Sequence, residues 1–319
     1  KIEPGNGKYA ILCNDQGGIL NDPVLLRLAE DEFWFSLSDS DLMLWLQGVN
    51  ISKKYDVTID EIDVCPVQIQ GPLSEDLMAK LAGEELRDVP FYGLMETNIE
   101  GADVVISQTG FTGEKGYEIY VRDAHENAEI VWNAVVGAGE EYGLMVIAPA
   151  HHRRIAAGIL SWGQDMDFET SPFQVNLSYQ VPRNKEADYI GKEELERQRD
   201  EIDKGDFPFK MRMVGLIFGG KEITDYAPDF WLIADTDGND MGYITSPWWS
   251  PELNTNIALG WVPWTSSEIG TKLQVRLPDE YSESSGVPVE GEIVDVPFRE
   301  SVNPNKREVQ KAKGLDYAD

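Results

Sequence analysis

An α+β fold followed by a small antiparallel β-barrel is predicted by three features of this sequence. Between residue 55 and about residue 139, strand-like runs of alternating apolar residues interleave with helix-like runs, the order of a sheet with helices layered on one face. Past Phe209 helical spacing disappears, and short β-rich runs alternate with turns such as Gly219-Gly and Asp237-Gly, the texture of a barrel or sandwich. Between the two, residues 192–206 are highly charged at helical spacing and end at Gly205, which suits a solvated helix leading into a linker. The domain division expected is therefore 1–205, holding the 55–139 α+β subdomain, then a barrel over 206–300, then a polar tail over 301–319 placed at an oligomer contact.

The first part opens with a strand over 9–12, an Asn14-to-Gly18 turn and a second strand over 19–28 interrupted at Pro23, together a β-hairpin. Residues 33–37 read as a buried strand, and 39–46 as an amphipathic helix capped by Ser38 or Asp39. In the subdomain, strands are expected over 64–70, 96–98, 103–108 and 117–121, and helices over 74–82 and 124–136, the first opening after the Gln70-Gly-Pro72 corner. Residues 149–163 read as a helix with Ile155, Gly158, Ile159 and Trp162 on its apolar face and a stop at Gly163. Barrel strands are expected over 213–218, 230–234, 242–245, 257–262, 272–275 and 290–294.

Composition narrows the partners. A chain of 319 residues with 42% apolar content can bury a substantial core, and its formal charge of -30 opposes nucleic acid and anionic membranes. No run approaches the roughly 18 apolar residues of a membrane span, and no basic-then-apolar leader stands at the start, so a cytoplasmic protein is expected. Cys13 and Cys65 are too few for a disulfide framework, lack metal-ligand spacing and read as buried thiols. His151 and His152 are adjacent on a helix and point in different directions, His125 shows no partner, and no metal site is expected.

The stretch with the most chemistry is Gln108-Thr-Gly-Phe-Thr-Gly-Glu-Lys-Gly-Tyr-Glu-Ile-Tyr-Val121. Gly110, Gly113 and Gly116 allow the backbone to bend closely around something without Cβ obstruction. Period-two alternation then places Glu118 and Tyr120 on one face, with Tyr117, Ile119 and Val121 on the other. A carboxylate offers two acceptor oxygens to a flat heterocycle with adjacent N–H donors, and an aromatic neighbour covers its face. The plain alternative is a hairpin whose polar face meets solvent.

This run resembles the Thr-Gly-Tyr-Thr-Gly-Glu-Asp-Gly-Phe-Glu-Ile segment of the glycine cleavage system T-protein (aminomethyltransferase) family, and the resemblance continues along the chain. Gly17-Gly-Ile-Leu-Asn-Asp22, the Gln70-Gly-Pro72 corner, Tyr189-Ile-Gly-Lys-Glu-Glu-Leu195, and Thr245-Ser-Pro-Trp-Trp-Ser-Pro251 with Ile257-Ala-Leu-Gly-Trp261 follow the family's order. The resemblance implies a tetrahydrofolate-dependent one-carbon transferase in which Glu118 binds the pterin and Asp22, the catalytic candidate, stands beside the reactive nitrogen, with Asn21, Tyr120 and Arg154 as further cofactor-binding residues. Arg154 would meet the folate tail, or else form an ordinary ion pair. The family carries further chain before the point matched by Lys1, so the N-terminal part of its fold is expected to precede this sequence.

Asn21-Asp22-Pro23 and Tyr120 resemble the dimethylsulfoniopropionate demethylase branch more than the T-protein itself, which favours a small cationic methyl donor over an aminomethyl group on a lipoyl carrier. An excess of 57 acidic over 27 basic residues also disfavours docking of an acidic carrier protein. Trp248 and Trp249 would offer aromatic faces to such a cation, or else fill the barrel core. The alternatives are a glycine cleavage aminomethyltransferase and a non-catalytic folate-binding protein; the reactive-cysteine motif of the latter is not present at Cys13 or Cys65.

Overall fold

The computed structural model describes residues 2–37 and 41–298. In chain order the first elements are β1 (Asn6–Tyr9), β2 (Leu12–Cys13), β3 (Ile19–Asn21), β4 (Val24–Arg27), β5 (Phe33–Ser36) and α1 (Leu42–Lys53). Next come β6 (Val64–Gln70), α2 (Ser74–Ala82), β7 (Leu94–Ile99), β8 (Ala102–Ser107), β9 (Gly116–Arg122), α3 (Ala124–Gly139), α4 (His151–Ala156) and α5 (Lys192–Asp203). Six further strands complete the chain: β10 (Met211–Phe218), β11 (Trp231–Ala234), β12 (Asp240–Ser250), β13 (Thr255–Pro263), β14 (Lys272–Val275) and β15 (Val289–Val294). No helix among the described residues is long and apolar enough to cross a membrane.

Two compact units result: one from the residues up to Ala10 with 21–149, the other from 11–20 with the chain from Ala150 on. The compact units thus divide after Pro149, whereas the division expected at 205 follows the change from helix-rich to strand-rich sequence.

In the first unit, the four-stranded antiparallel sheet β6-β9-β8-β7 is sandwiched. Alternation sends Ile69, Ile106, Tyr117, Ile119 and Val121 to one face, where they pack with Leu77 and Met78 of α2 and Val131 and Val135 of α3. The opposite face sends Val105 and Tyr120 into a second cluster with Leu26 and Leu28 from the β1-β4-β5 sheet. β5 is the edge strand of that sheet and is not buried as expected: Trp34 packs edge-on to Tyr120, while Phe33 and Phe35 on its other face are 47% and 37% exposed. The helix expected over 39–46 runs instead over α1, beginning after Asp41 and ending at Lys54 in the left-handed region. The alternative caps Ser38 and Asp39 lie outside the described residues, as does the tail over 301–319.

In the second unit, β10-β13-β12-β11-β14-β15 close into an antiparallel barrel, filled by Leu216, Ile233, Ile244, Ala258, Val262, Val275 and Ile293. The helix expected over 149–163 is only α4, because Gly158 takes a φ of +69° and turns the chain out of the helix one turn before the periodic apolar residues end. The β2–β3 ribbon belongs here too as far as Leu20. Gly18 is required at its turn because a Cβ would lie 1.8 Å from the carbonyl oxygen of Phe168.

Two smaller expectations are corrected. Cys13 is buried, and burial pushes its thiol up to about 12, but Cys65 on β6 is exposed. His125 does have a partner, Asp63 Oδ1 at 2.7 Å from its Nδ1, which sequence spacing of more than sixty residues conceals.

Candidate functional site

Register builds the site. Glu118 on β9 lies directly opposite Gln68 of β6 on one side and Ser107 of β8 on the other, so three polar side chains cross the sheet in one row. This row is on the face turned away from α2 and α3, the face that also carries Tyr120. Thr109, just past β8, hydrogen-bonds Glu118 Oε2, and the Tyr120 phenol donates to the same oxygen at 3.2 Å. Burial pushes the Glu118 carboxyl above the usual carboxylate range, opposed by the bonds from Thr109 and Tyr120. Burial, with the neighbouring charge of Glu118, also holds the phenols of Tyr120 and Tyr92 well above the ordinary tyrosine range.

Two of the three glycines face a definite occupant. A Cβ on Gly110 would lie 2.2 Å from Gln70 Nε2 and one on Gly116 2.1 Å from the same atom, so both make room for the Gln70 carboxamide. Gln70 donates to the Thr109 carbonyl at 3.1 Å and accepts from the Thr112 hydroxyl, which fixes the loop that carries Thr109 to Glu118. Gly113 alone of the three needs the left-handed region, at φ +72°.

Asn21, the last residue of β3, and Asp22, which follows it ahead of β4, belong to the same unit. Val24 pairs with Ser36 of β5, and Trp34 of the same strand packs edge-on against Tyr120, so β5 links the Asp22 end of β4 to the Glu118 row. Asp22 is held twice: Tyr9 donates its phenol to Oδ2 at 2.9 Å, and Asn21 Oδ1 accepts from the Asp22 N–H at 3.0 Å. Asn21 is fully buried and, among the described residues, its Nδ2 has no hydrogen-bond partner, a donor for which a bound molecule is the natural acceptor.

The other sequence candidates stand in the second unit. Arg154 does meet a carboxylate, but that of Asp165: Nη1 lies 2.5 Å from Oδ2 and both side chains are fully buried. Ser246 and Thr245 donate to Asp165 Oδ1, Ser161 N–H donates to Oδ2, and Arg154 Nη2 donates to Ser246 Oγ at 2.8 Å. The resulting network ties α4 to β12, and among the described residues Arg154 Nε has no hydrogen-bond partner. Trp248 and Trp249 are only partly buried and are not among the side chains filling the barrel. Trp248 stacks on the His151 ring at 5.9 Å, and His151 touches Tyr226 at 5.5 Å. Burial and the Arg154 charge lower the His151 pKa. Thus Glu118, Tyr120, Asn21 and Asp22 fall in one unit, and Arg154, Trp248 and Trp249 in the other. Sequence reasoning missed Ser36, Gln68, Tyr92, Ser107, Thr109 and Asp165; only Thr109, inside the glycine-punctuated run, carried a signal of its own.

Fold and site together define a protein with a buried carboxylate on an α+β sheet and a closed antiparallel barrel further along the chain. Residues 1–185 match the GCVT N-terminal domain, and residues 212–298 match the glycine cleavage T-protein C-terminal barrel domain. The chain belongs to the glycine cleavage T-protein family. It is 35% identical over 271 residues to dimethylsulfoniopropionate demethylase DmdA of Ruegeria pomeroyi, a match covering 85% of this chain and 71% of that protein. An aminomethyltransferase of Clostridium botulinum is 30% identical over 280 residues, covering 84% and 71% of the two chains. One of Saccharopolyspora erythraea is 28% identical over 302 residues, covering 93% and 77%. The fold is similar to the crystal structure of glycine cleavage system aminomethyltransferase T from Bartonella henselae, with a TM-score of 0.75 at 24% identity, over 94% of this chain and 77% of that one.

Proposed function

We propose that this protein is a tetrahydrofolate-dependent one-carbon transferase that takes a methyl group from a small cationic donor of the dimethylsulfoniopropionate type. The observation that carries the folate reading is the Glu118 row. A buried carboxylate flanked by Gln68 and Tyr120 suits a flat ring edge that presents N–H donors, and the unpaired Nδ2 of Asn21 offers one more donor. Residues that would hold the folate are Glu118, Tyr120 and Asn21. When bound, tetrahydrofolate supplies a nucleophilic ring nitrogen that takes the methyl group as the sulfonium becomes a neutral thioether and the N–H proton is released.

The chain's own contribution is placement and charge. Tyr9 and Asn21 fix Asp22, so that its carboxylate opposes positive charge with no reorganisation during transfer. The donor class is supported by 35% identity to a dimethylsulfoniopropionate demethylase against 28–30% to aminomethyltransferases, and by a net charge of -30 that attracts a cation. The Trp248 and Trp249 faces suit the same cation. To meet a folate tail, the Arg154 guanidinium would have to leave Asp165; the intact pair favours a structural role.

The test follows the donor. Proton NMR of dimethylsulfoniopropionate with tetrahydrofolate and the protein should show loss of one S-methyl and appearance of a methylthio thioether. A donor that persists unchanged while methylamine-loaded lipoyl carrier is consumed would assign the protein to aminomethyl transfer.

A further inference from the structure

Both protein donors to Glu118 reach the same oxygen. Thr109 and Tyr120 bond Oε2, and among the described residues nothing is hydrogen-bonded to Oε1. Thr109 and Ser107 are 4% and 0% exposed, and their hydroxyl oxygens lie 3.0 Å apart. A hydroxyl has a single proton to donate. With the Thr109 proton directed at the carboxylate, its oxygen accepts from Ser107, giving a relay Ser107 to Thr109 to Glu118.

We propose that Thr109 is a positioning residue for the ligand-binding carboxylate: its hydroxyl, backed by Ser107, fixes the Glu118 side chain and occupies Oε2, so that Oε1 is the oxygen presented to a pterin N–H. The proposal rests on the folate reading of the site. It replaces the two-oxygen grip expected of a bare carboxylate with a one-oxygen grip, because the in-plane lone pairs of Oε2 already have two donors. The same bonds oppose the upward push of burial on the Glu118 carboxyl. The titratable groups facing it are Tyr92 and Tyr120, both protonated well past neutrality, while the flanking Gln68 and Ser107 are neutral. Losing Thr109 leaves burial less opposed and moves Glu118 ionisation to higher pH.

The experiment uses the full chain with Thr109→Val, Thr109→Ser, Ser107→Ala and Glu118→Gln. Carbon NMR of 13C-glutamate-labelled protein reads the Glu118 midpoint without ligand, and calorimetry reads tetrahydrofolate affinity. Thr109→Val should raise the midpoint and weaken binding at neutral pH by about tenfold, and Thr109→Ser should restore both. Ser107→Ala, the milder change, should move both readings the same way by less, and stands in if Thr109→Val does not fold. An unmoved midpoint, or wild-type affinity in Thr109→Val while Glu118→Gln loses binding, overturns the proposal alone. Equal folate affinity in every variant, Glu118→Gln included, overturns the folate reading itself.

Discussion

Tyr9 and Asp22 are joined by a 2.9 Å hydrogen bond from the last residue of β1 to the residue that precedes Pro23 and β4. Because Tyr9 also pairs with Val24 in the sheet, the phenol and the carboxylate are held by the same two strands. A group fixed this way acts on charge that moves during reaction more than on a resting ligand. Asp22→Asn should therefore lower kcat by on the order of a hundredfold with little change in donor KM. A variant that raises KM and leaves kcat intact would make Asp22 a ground-state binding residue.

Glu118 should dominate folate affinity. Removing a charge-assisted acceptor from a buried site costs about 1.5–3 kcal/mol, so calorimetry on Glu118→Ala should show weaker tetrahydrofolate binding by that amount. Unchanged affinity removes Glu118 from the site.

The same residue should cost stability when ionised. Its folded pKa lies above the ordinary glutamate value, with burial the first cause. The unfolded chain thus ionises first as pH rises; the stabilisation linked to the protonated form is complete below the unfolded pKa and is lost as pH passes through the raised folded one. Thermal melts of Glu118→Gln should accordingly match wild type at acid pH and exceed it at neutral pH. A variant less stable than wild type at neutral pH contradicts this assignment.

Arg154 and Asp165 form a fully buried pair, and removing one partner strands the other's charge. Asp165→Ala should lose about 3–5 kcal/mol of stability in denaturant unfolding. Full stability with lost folate affinity would return Arg154 to the binding site.

Much of this was legible locally. The two-residue period of β9 separates Glu118 and Tyr120 from Ile119 and Val121, and the structure keeps that separation. What the period cannot give is which strands flank β9, so Gln68 and Ser107 were invisible as neighbours of Glu118. The close approach implied by Gly110 and Gly116 was readable, but its occupant, Gln70, lies some forty residues upstream. Gly158 shows the opposite failure: apolar spacing carried the helix past it, although a left-handed glycine ends α4 there.

The most direct test is mass spectrometry of the folate product with dimethylsulfoniopropionate, glycine betaine and methylamine-loaded lipoyl carrier offered in parallel. Methyl transfer from a small cation predicts 5-methyltetrahydrofolate from a cationic donor. Appearance of 5,10-methylenetetrahydrofolate with the lipoyl carrier, and no 5-methyl product from either cation, would contradict it.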